Sequence, residues 1–332
     1  MISTAAASVL LASIAMTGTA QAQAPTGTGT PSTGSTIIDP EQQYADFLAS
    51  RRPDGSWLGA ADPGSKAKAP TTSLSTYPKL TERQLATMRD RMGQAPATGA
   101  PTIDTSAHAT VEVVRFTKDA TIVQTYLPAP GVTPDQLATS LRSQGKQGVR
   151  VNRPSAFSTS DSESCAYGHA RTISCPVSFF RNNGNENPIV VFNDHSGSVW
   201  PLTEAVPKWN QVPNIDSWYQ WNGCPAVAGA RCIDVFSGNY GAADWVGLAQ
   251  RTYPSSTFSG AFADSGQWIQ LNDYYAPTTF TRNNVVTHEV GHILGLGHNT
   301  YDYDVLYPSA TTREDIGGEN PVLLSDLYSV VR

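Results

Sequence analysis

HEVGHILGLGHN, residues 288–299, holds three of the chain's six histidines together with a glutamate and three glycines. Residues four apart on an α-helix lie one turn above each other, so His288 and His292 project the same way and can share one ion. Two imidazoles do not complete a catalytic zinc site, which takes three protein ligands and keeps one position for water. His298 can be the third only if the helix stops after His292, because six steps of about 100° would carry it to the far side. Gly295 suits that stop, since a residue just past the last turn commonly needs positive φ. Glu289 comes directly after the first ligand, beside the metal-facing edge, where it can take a proton instead of ligating. A chance match to HExxHxxGxxH is on the order of one in 10⁵ to 10⁶ at this composition. Ordinary core histidines are therefore a poor reading. A closed structural zinc site would need a fourth protein ligand, and no nearby cysteine offers one. The residues point to Zn2+ held by His288, His292 and His298, with Glu289 as general base.

The helix carrying this window is expected to start with Thr281 as its N-cap, and Val286, Val290 and Ile293 give it one apolar stripe for the core. Upstream, PIVVFN (188–193), CIDVFSG (232–238), WVGLAQR (245–251) and GQWIQLND (266–273) read as strands. WPLTEAVPKWNQ (200–211) reads as a helix that Pro207 should kink or interrupt. A second, smaller α+β unit is expected at 110–160: strands VEVVRF and TIVQTYL, a helix capped at Thr133, and strand VRVN.

The signature HExxHxxGxxH resembles that of the metzincin zinc endopeptidases, and HEVGHILGLGHN is similar to its matrixin version. DVLYP (304–308) resembles the family's Met-turn, the apolar floor beneath the metal, with Leu306 where methionine would stand. Leucine for methionine conserves volume. Tyr307 follows Leu306 as the matrixin tyrosine does, which favours packing over oxyanion stabilisation. GQWIQLND resembles the strand bordering the metzincin cleft, whose open edge pairs with an extended substrate; an internal strand would read the same way. SDLYSVVR (325–332) resembles the closing helix. The resemblance covers roughly 170–332. It implies an α+β catalytic domain with a twisted mixed sheet, an active-site helix and a C-terminal helix, preceded by the small α+β pro-region. It implies endopeptidase activity on a protein or peptide bound as an extended strand. It leaves a structural Ca2+ open. No PRCGxPD segment precedes the domain, so latency by a cysteine switch has no support.

Composition bounds the rest. A net charge of −6, a pI near 5.5 and the lack of any basic run argue against a nucleic-acid partner. Residues 1–22 carry a short apolar run ending in Ala-Gln-Ala and read as a signal peptide, although no Lys or Arg precedes Arg51. That run falls short of the roughly 20 residues needed to span a bilayer, so no membrane span is expected. Export makes the cysteines legible: Cys165 with Cys175 and Cys224 with Cys232 is the simplest of three connectivities. Residues 23–109, rich in Pro, Gly, Ala and Ser, are expected to be largely disordered, with one helical candidate at 81–92. The sequence thus describes a secreted, monomeric zinc endopeptidase made as a precursor, with about 23–160 as pro-segment and 170–332 as catalytic domain. Two other classes share its ligands: a zinc-binding recognition module without catalysis, which an intact Glu289 disfavours, and a zinc amidase acting on non-protein amides.

Overall fold

A central twisted sheet organises the chain in the computed structural model, which describes residues 36–68, 78–92, 109–153, 178–254, 260–275, 279–299, 302–317 and 319–330. All of them fall in one compact unit, Pro31–Arg332. The expected signal peptide and the Cys165 and Cys175 pair lie outside the described residues.

The elements run in order α1 (Pro40–Ser50), α2 (Glu82–Met92), β1 (Thr110–Phe116), β2 (Thr121–Pro128), α3 (Pro134–Ser143), β3 (Val149–Asn152) and β4 (Ser178–Phe179). There follow β5 (Ile189–Asp194), α4 (Leu202–Asn210), β6 (Asp216–Trp221), β7 (Arg231–Gly238), β8 (Trp245–Tyr253), β9 (Gly260–Ala261), β10 (Trp268–Asn272), α5 (Thr279–Ile293) and α6 (Asn320–Val330). The fold is as expected in its helices packed on a mixed sheet. One eight-stranded sheet has the order β3-β1-β2-β8-β10-β7-β5-β6. β6, β5, β7 and β10 are mutually parallel, whereas β8 runs antiparallel to both β10 and β2.

Helices cover both faces of this sheet. On one face α4, α5 and α6 share a core with the strands, built from Trp200, Trp209, Val286, Val290, Ile293 and Leu327 among others. On the other, Phe47 of α1 and Leu137 and Leu141 of α3 pack with Phe236, Leu248 and Trp268. With both faces buried, the central strands lose the polar alternation of a half-exposed sheet. β8 is buried along its whole length.

Three local expectations need correction, and one open alternative is decided. GQWIQLND forms β10, which is no edge: β7 and β8 flank it. The strand nearest the histidines at that side is β8. Residues 36–68, expected to be weakly ordered, contain α1, which Asp39 caps by accepting from the backbone N–H of Glu41 and Gln42. Phe47, fully buried, and Gln43, whose Nε2 donates to the Ser237 carbonyl at 3.2 Å, tie that helix to the body. Pro207 lies inside an unbroken α4. α5 begins at Thr279, so Thr281 sits in its first turn and not at its cap. The helix from Thr133 forms as read, with a capping box between Thr133 and Gln136. The strands of the small α+β unit also form, but they continue the main sheet through β2 and β8. The disulfide Cys224–Cys232 is present.

Candidate metal centre

α5 delivers the first two imidazoles and then stops at Gly295, where φ is +115°. Two constraints require glycine there: that φ, and a Cβ that would meet the Ser178 carbonyl oxygen at 2.1 Å. The Leu296 N–H donates to the Gly291 carbonyl at 3.1 Å and closes the helix end. The chain then turns back and brings His298 to the other two.

The three Nε2 atoms converge. His288 and His292 stand 2.9 Å apart, His288 and His298 2.9 Å, and His292 and His298 3.1 Å. Each ring's other nitrogen is held elsewhere: His288 Nδ1 by the Val305 carbonyl at 2.7 Å, His292 Nδ1 by the Leu296 carbonyl at 2.9 Å, and His298 Nδ1 by Thr110 Oγ1 at 2.8 Å. An N–H on Nδ1 that donates to an oxygen leaves the Nε2 lone pair free to ligate, which is how metal-binding histidines are usually oriented. The three atoms stand close enough together that His288, His292 and His298 could all reach one ion at about 2.0–2.1 Å, so the residues fit a zinc ion. No cluster of this kind other than His288, His292 and His298 occurs among the described residues.

The surroundings support the triad. Gly291 lets Trp209 and Leu306 approach the helix; a Cβ there would meet Trp209 Cζ2 at 2.7 Å and Leu306 Cδ2 at 3.0 Å. Leu306 therefore lies against the active-site helix as an apolar floor. Its turn is fixed by the Leu306 N–H donating to Asp304 Oδ1 at 2.7 Å and by the Asn299 N–H donating to the Leu306 carbonyl at 3.1 Å. Tyr307 is half-buried beside it.

Glu289 is wholly buried, and neither carboxylate oxygen has a hydrogen-bond partner. Gly247 of β8 makes room for it: a Cβ there would stand 2.3 Å from Glu289 Oε1. Burial pushes the Glu289 carboxyl well above its ordinary value, opposed by the positive charge of Arg251. Burial likewise lowers His288 to about 4 and holds His292 and His298 well below the usual histidine value.

Sequence reading alone did not identify the residues that close this site. His288 and Glu289 are 0% exposed, and His292 and His298 are 1% exposed. Part of the cover is the β1–β2 hairpin, which brings Thr110 onto His298 and, through β2, occupies the flank of β8. Arg251 of β8 is also buried; its Nη2 donates to Thr125 Oγ1 of β2 at 2.6 Å and reaches Glu112 Oε1 of β1 at 3.2 Å. No spacing rule in the sequence links positions 110, 112, 125, 251 and 298; only the pairing of distant strands does.

A family model described as Matrixin matches residues 236–319, from the end of β7 to just before α6. No curated protein matches the chain. That match and the convergent imidazoles together support a metzincin-like zinc-peptidase site in this chain.

Proposed function

We propose that the protein is a secreted zinc endopeptidase made as a latent precursor, with His288, His292 and His298 as ligands and Glu289 as general base. The observation that carries this reading is the meeting of three Nε2 atoms together with, on the residue next to His288, a buried carboxylate that no protein donor satisfies. A carboxylate buried without a partner costs stability, so its retention argues for chemistry. Zinc at this site supplies acidity, lowering the pKa of a water from about 15.7 to about 7. Glu289, kept basic and close by the gap at Gly247, takes a proton from the attacking water and passes it to the leaving amine. The signal-peptide-like sequence at 1–22 and the Cys224–Cys232 bridge support secretion. No helix among the described residues is long and apolar enough to cross a membrane.

The pairing of β2 with β8 supports latency. An extended substrate joins a sheet by adding to an open edge, and the edge nearest the site is the one β2 fills. Glu289→Ala tests the chemistry: zinc content measured by atomic absorption should stay near one per chain while casein hydrolysis disappears. Hydrolysis at the unsubstituted rate would remove Glu289 from the mechanism.

A further inference from the structure

Arg251 is an unusual residue to bury at 2% exposure on the strand that borders the site. It lies four residues beyond Gly247 on β8, and strand periodicity puts both on the face that meets Glu289. Regular pairing from Leu127↔Gly247 through Thr125↔Ala249 to Val123↔Arg251 keeps that face in register. Only one of its three guanidinium nitrogens is engaged by hydrogen bonds: Nη2 holds Thr125 and Glu112, while Nε and Nη1 have no partner. Both held groups belong to the covering hairpin. Glu112 is fixed in turn by Asn152 Nδ2 at 2.8 Å and by the Thr125 hydroxyl at 3.3 Å. The hairpin thus sets a carboxylate against a buried cation beside the site. Arg251 would lose this counter-charge once the hairpin leaves, and the two unpartnered nitrogens leave donor capacity for a planar carboxylate.

We infer that Arg251 selects substrate, taking an Asp or Glu side chain for which Glu112 stands in before activation. The inference rests on the peptidase reading and adds a substrate class to it. A peptide lying antiparallel to β8, as β2 does, presents same-face side chains at the positions of Leu127 and Thr125. The acidic residue therefore belongs at Thr125's position, two residues toward the N-terminus from the residue opposite Gly247. Shifted by one residue, it would point to the other face.

The test uses full-length zinc-loaded protein, whole and after limited nicking with all pieces kept in solution, on fluorogenic peptides that differ only in Glu or Gln at that position. The Glu peptide should be cleaved with a kcat/KM about tenfold or more above the Gln peptide, the range expected of a charge-assisted hydrogen bond. Moving the Glu by one position should abolish the advantage. Arg251→Gln should bring the ratio near one, and Arg251→Lys, which keeps the charge without the planar fork, should leave a ratio above one but below that of the unsubstituted protein. Equal rates in the unsubstituted protein overturn the inference whatever the variants do, and so does a preference that survives Arg251→Gln in protein whose melting shows it folded. Failure to cleave either peptide, with zinc bound, would instead overturn the peptidase reading.

Discussion

Each imidazole of the triad is kept neutral by burial, and this has a measurable cost in acid. His288 sits at about 4 and its two neighbours well below the ordinary value. Groups with depressed values stay unprotonated in the fold where the unfolded chain takes up protons. Their contribution is intact above about 6.5 and is lost as the pH falls toward the folded value. Glu289, raised by burial, runs the other way, but it is one group against three. With a chelator present, the urea midpoint should fall steadily from pH 7 to pH 5; a flat midpoint would mean that the folded state already binds those protons. At this scale the sequence was most informative. Spacing alone placed His288, Glu289, His292 and the break at Gly295, because a helix turn is a local property. Gly247 carried no such signal, since its role depends on a carboxylate 42 positions away in the chain.

Among the elements, β1 does more than cover. Thr110 holds the Nδ1 of His298 at 2.8 Å, while the other two rings are held by the backbone carbonyls of Val305 and Leu296. Losing such an outer partner typically costs about 10–100-fold in metal affinity. Thr110→Val in the full-length protein should weaken zinc by that order in competition with a chromophoric chelator. An unchanged affinity would show that His298 needs no partner from β1. The strands themselves were legible from β-branched and aromatic runs, and α3 from its capping box. Their order was not. Position within a sheet is decided by partners far away in sequence, which is why β10 read as well for an edge as for the interior it occupies. β6, DSWYQW, was not read as a strand although Trp218, Tyr219 and Trp221 give it aromatic character.

For the whole molecule, the N-terminal stretch divides into parts with different attachments. Residues 36–68 are built into the body: Lys66 reaches Asp194 at 2.8 Å with side-chain exposures of 4% and 0%. The same ammonium donates to Ser196 and to the Gly197 carbonyl. Removing one member of a buried pair strands the other, at about 3–5 kcal/mol. Lys66→Met should therefore lower the unfolding free energy by that order, read from urea denaturation at pH 7. A loss below about 1 kcal/mol would indicate that Asp194 finds another counter-charge. Composition concealed this attachment, because a segment rich in Pro, Gly and Ala holds on through a few residues such as Phe47, Trp57 and Lys66 and not through a periodic face.

The covering strands lie in sequence between two stretches fastened to the same body. On one side Lys79 pairs with Asp216 at 2.9 Å; on the other the chain continues into β4 and β5. Under the proposed latency, a single scission between these points would leave the hairpin leashed at one end. A leashed segment returns to its groove at an effective concentration in the millimolar range when the tether is short. One cut would then yield a self-competing enzyme whose residual inhibition does not dilute away, and a second cut would turn the hairpin into a free ligand that does. Activation in this architecture counts scissions.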